Sequence, residues 1–249
     1  MAIEEAGLRP DVLAGVSAGS VIAVLYAAGV KPLEMVELFA RCGFRDFTEL
    51  SFGNGGFLKI DKFKEFIITG LRGKKRLEEL DIPTYVGATD FDKGEAVAFS
   101  EGEIGPRVLA SCSIPIVFKP VRINGVNYVD GGVVRNHPAW ILRDKCETLI
   151  GVNVSPVLAE SSCAESKSIV EVALRTFNIM SKSNQSVDMA LCDVSIETPE
   201  IANLAMFDLK NIKKVFLSGY IHTRKALKAA GMWNPKAVPP MLSDLSSKA

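Results

Sequence analysis

Ser17 has the neighbours that nucleophilic catalysis requires. The segment Gly15-Val16-Ser17-Ala18-Gly19 matches G-x-S-x-G, follows a short apolar run that predicts a strand, and opens a run that predicts a helix. Such a turn presents the serine hydroxyl above the sheet edge, and glycines are expected where a Cβ atom would clash. Ala18 N–H, in the first helical turn, can donate to a developing oxyanion. The alternative is a glycine-lined turn that only packs a helix on a strand, because short motifs also match by chance.

A serine nucleophile needs a proton acceptor, and the chain has two histidines, His137 and His222. His222 falls in an amphipathic helical pattern, where a place on the polar face explains it. His137 follows Asp130 by seven residues, a short separation for two members of a catalytic triad. It also precedes Pro138, where the entry to a helix is expected. A carboxylate is therefore the better candidate for the base.

Asp130-Gly131-Gly132 places a carboxylate at the end of a predicted strand and before a helix. On spacing alone, a turn or helix-capping aspartate is the simpler interpretation. An exposed aspartate, with a pKa of about 3.9, is too weak a base to accept a serine proton efficiently. Catalysis therefore requires burial that raises the pKa, and Gly131 and Gly132 would let the backbone pack closely around the carboxylate.

Apolar runs rich in Val, Ile and Tyr alternate with helical patterns along the chain. This alternation predicts an α/β fold, a three-layer α/β/α sandwich with a mostly parallel central sheet. Asn124-Gly125 predicts a type I′ turn between strands at residues 121–123 and 126–129. Further strands are expected at residues 12–14, 84–88, 96–99 and 149–154. Helices are expected at residues 18–28, 33–42, 60–68, 106–111, 169–180 and 212–229.

Composition narrows the class of protein. The 249 residues, 48% of them hydrophobic, fit one domain at residues 1–232 and a poorly ordered tail at 233–249. Lys+Arg 29 and Asp+Glu 29 cancel, which argues against nucleic acid as a partner. Five scattered cysteines without C-x-x-C spacing predict reduced thiols, a cytoplasmic location and no metal site. Residues 12–30 are uncharged and long enough to span a membrane, but the glycines at 15–19 favour a buried strand-turn-helix.

Three blocks of the sequence, in order, resemble the patatin-like phospholipases, bacterial branch: GVSAGS, ATDFDKGEAVAFSEG and RVLASCSIPIVFKPVRINGVNYVDGGVVRNHP. The resemblance extends from about Ala2 to Val154. In that family a Ser-Asp dyad replaces the triad, and the matching residues here are Ser17 and Asp130. The resemblance implies a serine acyl hydrolase that cleaves phospholipid or other acyl esters through an acyl-enzyme, without a cofactor. The alternative is a patatin-like module that binds lipid and has lost turnover.

One motif of that family has no counterpart in this sequence, the glycine-rich D-G-G-G-x-R-G loop that supplies most of the oxyanion hole. Residues 2–7 have the pattern of the last turns of a helix with its C-terminal glycine, so we expect a longer natural chain. A natural start with a frayed first turn is the alternative. Residues 52–56 are glycine-rich but no strand precedes them, so we expect a loop near the pocket. Because one lost oxyanion donor costs about 100- to 1,000-fold in rate, we expect low activity from residues 1–249 alone.

Two basic segments could meet a lipid surface. Residues 72–76, RGKKR, form a local basic run whose simpler interpretation is a solvated loop. The predicted helix at 212–229 alternates lysine and arginine with Ile, Val, Phe and Leu, for which core packing is the ordinary explanation. Peripheral contact with anionic lipid headgroups is the alternative for both segments.

Overall fold

The computed structural model describes residues 1–41, 49–50, 58–59, 61–154, 168–199 and 211–234. The glycine-rich segment 52–56 and most of the predicted tail lie outside the described residues. The described helices are α1 Ala2–Glu5, α2 Ala18–Ala27, α3 Pro32–Ala40, α4 Asp61–Gly70, α5 Ile104–Cys112, α6 Ala139–Leu142, α7 Ile169–Met189 and α8 Ile212–Ala229. The described strands are β1 Leu13–Val16, β2 Glu49–Leu50, β3 Leu58–Lys59, β4 Thr84–Asp90, β5 Glu95–Phe99, β6 Val121–Ile123, β7 Val126–Asp130, β8 Ile150–Asn153 and β9 Val194–Glu197.

Strand β4 is the centre of the main sheet. It pairs in parallel with β1 and antiparallel with β5 and β7, and β7 pairs antiparallel with β6. In this register Val16 lies opposite Gly87, and Asp130 lies opposite Ala88. The residue before Ser17 and the aspartate therefore flank neighbouring positions of one strand. Strands β8 and β9 form a separate parallel pair.

Helix α2 is buried because its sequence is apolar on nearly every side. Val24, Leu25 and Ala27 have no exposed surface. Val24 and Leu25 belong to a core that also includes Val86 of β4 and Val108 of α5. A helix that is hydrophobic all round is stable in the centre of a domain. No helix in the described ranges is long and apolar enough to cross a membrane.

Two smaller apolar clusters complete the packing. One joins Leu142 of α6 and Leu149, the residue before β8, to Ala14 of β1. The other packs Phe177 of α7 against Phe118, in the segment between α5 and β6. Helix α7 is thereby fixed against the chain that leads into the β6–β7 hairpin.

The α/β fold class predicted from the sequence is confirmed, as a central sheet flanked by helices. Asn124 and Gly125 have φ of 50° and 90°, as a type I′ turn requires. Helix α8 has the predicted bounds, whereas α7 continues to Met189 instead of ending near Met180. Sequence analysis did not predict β9, which follows a turn directly after α7.

The short N-terminal helix α1 is docked rather than frayed. The Tyr220 hydroxyl of α8 donates to Glu5 Oε2 at 2.6 Å, and the Tyr26 hydroxyl of α2 donates to Glu4 Oε1 at 2.9 Å. Ala2 and Glu5 are buried. A helix of four residues is unstable alone, so these contacts from α2 and α8 account for its order.

An ion pair between the partly exposed Arg135 and the buried Asp188 ties the segment after β7 to α7. Arg135 Nε donates to Asp188 Oδ2 at 3.0 Å, and Nη2 of the same arginine contacts Oδ1. The Asp188 side chain is 1% exposed, and the Arg135 guanidinium also lies over the ring of Trp140, 5.0 Å from its centroid. A bidentate pair of this kind fixes both partners in orientation.

We expect Arg135→Ala to lower the free energy of unfolding by about 3 kcal/mol, because it leaves the buried Asp188 carboxylate without its cation. The matched control is Arg72→Ala, whose ion pair with Glu34 is about half exposed on both sides. Removing that exposed pair should cost at most about 1 kcal/mol. Urea denaturation of the two variants and the parent measures the difference. If both variants lose the same free energy of unfolding, the Arg135–Asp188 pair does not contribute more than an exposed pair.

Candidate active site

Ser17 occupies a sharp turn between β1 and α2. Its backbone has φ 52° and ψ −128°, in a region that L-residues rarely adopt. A Cβ atom added at Gly15 would overlap the backbone of Gly19, so this turn requires a glycine there. The expectation of a second forced glycine is wrong, since a Cβ added at Gly19 meets no atom within 4 Å. Gly19 is therefore exposed at the start of α2.

Ser111 of α5 supports the strained turn from below. Its buried hydroxyl accepts a hydrogen bond from Ser17 N–H at 2.8 Å and donates to the Gly87 carbonyl at 2.6 Å. The strain at Ser17 is therefore held by β4 and α5 together. The first N–H groups of a helix have no intrahelical acceptor, so Ala18 N–H at the start of α2 is able to donate to a group bound beside Ser17.

Asp130 ends β7 and is completely buried. Its Oδ1 accepts from Gly132 N–H at 2.8 Å, and its own N–H donates to the Ser113 carbonyl at 3.0 Å. The Thr89 hydroxyl donates to the Asp130 carbonyl at 3.0 Å. The carboxylate is therefore held at a fixed position by β4, by the residue after α5 and by its own turn.

The two glycines after Asp130 are placed where side chains would not fit. A Cβ atom at Gly131 would lie 2.9 Å from Val16 Cγ1, and one at Gly132 would lie 2.6 Å from Phe177 Cζ. The turn is thus pressed between β1 and α7. This close packing removes water from Asp130.

Burial raises the pKa of Asp130 to about 7, and the hydrogen bonds from Gly132 N–H and the Ser17 hydroxyl offset part of that rise. Within the described residues, however, Oδ2 has no partner at ordinary hydrogen-bond geometry. We conclude that Ser17 and Asp130 lie close together with a long or poorly aligned contact. Catalytic pairs often have such geometry before substrate binds.

The thiol of Cys112 lies beside the same two side chains. Burial raises its pKa, and the negative charge of Asp130 and weak contacts to Ser20 and Ser17 also act on it. Cys112 is a member of the main apolar core. Its neutral thiol is in addition part of the wall around the Ser17–Asp130 pair.

The structure places the histidines in other surroundings. His137 is 5% exposed and packs against Gly151. Burial lowers the pKa of His137, and the negative charge of Asp188 offsets part of that change. Within the described ranges no hydrogen bond joins it to Ser17. His222 lies on α8. Among the residues that the structure describes, no group of three or more His, Cys, Asp or Glu side chains is arranged as metal ligands would be.

The raised pKa of Asp130 predicts how stability depends on pH. The folded chain retains the Asp130 proton between about pH 4 and pH 7, where the unfolded chain releases it. Since the folded state binds more protons in this window, the free energy of unfolding should fall as pH rises through it and then level off. Asp130→Asn should remove this loss, making the variant more stable than the parent by on the order of 3–4 kcal/mol at pH 8 but not at pH 4.

Urea denaturation at pH 4, 5.5 and 8 tests this expectation. Asp144→Asn removes an exposed carboxylate and controls for the general loss of one negative charge. A difference between parent and Asp130→Asn that stays constant from pH 4 to pH 8 would contradict the assignment.

A family model and several curated proteins are similar to this chain. The family model described as patatin-like phospholipase matches residues 2–143, more than half of the chain. Lysophospholipase NTE1 of Saccharomyces cerevisiae is 29% identical over 163 residues, which cover 61% of this chain and 10% of the yeast protein. The uncharacterized NTE family protein Rv1063c of Mycobacterium tuberculosis is 28% identical over 163 residues, which cover 64% of this chain and 43% of that protein. The uncharacterized protein YqhO of Bacillus subtilis is 26% identical over 187 residues, 62% of this chain and 64% of its own length.

The matched region thus spans less than two thirds of the length of each of these relatives. The family match nevertheless includes both the Ser17 turn and Asp130. The chain belongs to the patatin-like phospholipase family.

Proposed function

We propose that this chain hydrolyses carboxylic esters of lipids, with Ser17 as the nucleophile and Asp130 as the general base. The observation that supports this most is the strained Ser17 turn beside a fully buried carboxylate. Oxygen Oδ2 of that carboxylate has no ordinary hydrogen-bond partner among the described residues, and its pKa of about 7 suits proton transfer near neutral pH. The family assignment and the yeast relative named a lysophospholipase point to the same class of reaction.

In the first half of the reaction, Asp130 Oδ2 accepts the proton of the Ser17 hydroxyl as Oγ attacks the ester carbonyl carbon. The new Oγ–C bond gives a tetrahedral intermediate whose oxyanion meets Ala18 N–H at the start of α2. When the carbon–oxygen bond to the alcohol breaks, the leaving oxygen takes the proton from Asp130. An acyl ester on Ser17 remains.

In the second half, water replaces the alcohol. Asp130, again a carboxylate, accepts a proton from the water as the water oxygen attacks the acyl carbon. The Oγ–C bond then breaks, Ser17 recovers the proton, and the fatty acid leaves. Asp130 thus serves as base and then as acid in each half of the reaction. A group that both accepts and donates the proton works best with a pKa near the operating pH.

The exposed face of α8 has a composition suited to contact with anionic lipid. Arg224, Lys225 and Lys228 line a shallow cavity of about 290 Å³ together with Tyr220 and the exposed Ile221. Basic and apolar side chains on one helix face are typical of peripheral membrane association. Such association stays a prediction, as does the cytoplasmic location.

We expect Ser17→Ala to reduce hydrolysis of p-nitrophenyl esters by about 10³-fold or more, because it removes the nucleophile. It should also abolish covalent labelling by a fluorophosphonate probe. The measurements are initial rates with short and long acyl chains, and mass spectrometry of the labelled peptide. Ser183→Ala, which removes an exposed hydroxyl on α7, is the matched control and should keep both properties.

Equal rates in the parent and Ser17→Ala would exclude Ser17 as the nucleophile. Lipid binding by a parent that neither hydrolyses esters nor reacts with the probe would support a lipid-binding module instead. Labelling of Ser17 together with turnover distinguishes the hydrolase from that alternative.

The pKa of Asp130 sets the expected pH dependence of the rate. Since only the carboxylate form accepts the serine proton, kcat/KM should rise about tenfold per pH unit below pH 7 and level off above it. Stopped-time assays from pH 5 to pH 9 measure this limb. A profile that is flat across pH 7 in the parent would contradict the role of Asp130 as the base.

A further inference from the structure

One face of α7 contacts the turn that follows Asp130. The contacts come from Ser181, Asn184, Gln185 and Asp188, which share a face because residues three and four apart are neighbours on a helix. All four reach the segment 132–136. This face continues the buried side of the helix, on which Phe177 packs.

Two of these side chains converge on a single carbonyl group. The Ser181 hydroxyl donates to Gly132 O at 3.0 Å, and Asn184 Nδ2 donates to the same oxygen at 2.9 Å. Asn184 Nδ2 also lies 3.3 Å from the Val133 carbonyl oxygen. Ser181 is 3% exposed, so water does not replace its contact easily.

Asn184 also contacts the far end of the segment 132–136. Asn184 Oδ1 accepts from Asn136 N–H at 2.9 Å, so one amide side chain bonds to both ends of the segment after Asp130. Gly132 is pressed onto the helix, since an added Cβ would lie 2.7 Å from Ser181 Oγ. The position of Gly132 is therefore determined by α7.

Gly132 is also the residue whose N–H donates to Asp130 Oδ1 at 2.8 Å. A residue held at its carbonyl has little freedom to turn its N–H away. Ser181 and Asn184 therefore constrain the Asp130 carboxylate indirectly, because they fix the orientation of the glycine that donates to it. Helix α7 lies beyond residues 2–143, the part of the chain that matches the family model.

We propose that Ser181 and Asn184 are positioning residues that fix the Asp130 carboxylate by clamping the Gly132 carbonyl. The proposal rests on the proposed function, because it assigns a task to Asp130 as the base. Helix α7 is then part of the catalytic apparatus and not only a cover of the core. The adjacent Arg135–Asp188 pair anchors the same segment without touching Gly132.

The groups that face the Asp130 carboxylate make its titration a readout of this clamp. They are the Ser17 hydroxyl from the start of α2, the neutral Cys112 thiol from α5 and the Gly132 N–H. Of these, Gly132 N–H is the group that α7 holds. When the clamp is removed, loss of this hydrogen bond should raise the pKa of Asp130 further.

The experiment compares the parent with Ser181→Ala/Asn184→Leu. We expect kcat to fall about 10- to 100-fold with KM changed little, because the base is displaced while the substrate pocket is kept. The acid limb of the pH–rate profile should move to higher pH. The pKa of Asp130, followed by NMR of ¹³C-labelled aspartate, should rise in the same variant.

Arg135→Ala is the matched control for a purely structural effect. It should lower the urea midpoint, yet leave the acid limb and the Asp130 titration where they are in the parent. If the double variant loses stability but keeps both, the clamp is structural and the proposal is overturned. If it does not fold, Ser181→Ala alone, which removes one of the two donors, gives the same test with a smaller shift.

The NMR measurement separates this proposal from the proposed function. If the parent shows no ester hydrolysis, or Ser17→Ala hydrolyses as fast as the parent, the proposed function fails. An upward move of the Asp130 titration in the double variant would still support the clamp, and an unchanged titration would overturn it. If Ser17→Ala and Asp130→Asn are inactive while the double variant keeps the parent profile, only the clamp is rejected.

Discussion

The hydrogen-bond register of β4 is the constraint on which the site depends. Strand β5 pairs along one edge of β4, and along the other edge β4 fixes Val16 opposite Gly87 and Asp130 opposite Ala88. Ser17 and Asp130 are 113 positions apart in the chain, yet these two ladders end at successive residues of β4 and bring them to adjoining places on one edge of the strand. A slip of one residue in either ladder would send the side chains to the opposite face of the sheet. The apolar packing of α2 and α5 over β4 is therefore also what keeps Ser17 and Asp130 together.

Placing a carboxylate in this interior has an energetic cost that packing elsewhere must offset. Asp130 is fully buried and accepts one firm hydrogen bond, so its charged form is less stable in the folded protein than in water. The strained backbone of Ser17 adds to this cost. Both features are unfavourable for folding, and the proposed reaction gives each of them a use, as expected where activity and stability oppose each other. Helix α2, whose residues Val21, Ala23, Val24, Leu25 and Ala27 are buried, supplies compensating apolar contacts in the element that follows the strained turn.

How far the sequence predicts this site depends on the range of the interactions involved. The Ser17 turn follows from G-x-S-x-G between strand and helix, and the hairpin follows from Asn124-Gly125, because both are local signals. Asp130 needed the family resemblance, since an aspartate before two glycines is as typical of a turn. Ser111 gave no local signal, because its task is defined by Ser17 and Gly87, which lie far away in the chain. The open space at Gly19 and the extension of α7 likewise depend on tertiary packing.

The site is shaped by neutral dipoles and not by ion pairs. Buried hydroxyls of Ser111, Thr89 and Ser181 each donate to a backbone carbonyl next to the reacting side chains. A hydroxyl can hold a strained backbone in place without adding charge, because it is small and both donates and accepts. The pKa of Asp130 is accordingly set by desolvation against two hydrogen bonds. A cation at the same distance would stabilise the carboxylate and lower its pKa, and the carboxylate would then be too weak a base for the Ser17 proton. Rigid support by uncharged groups thus keeps Asp130 fixed in position and still basic enough to react.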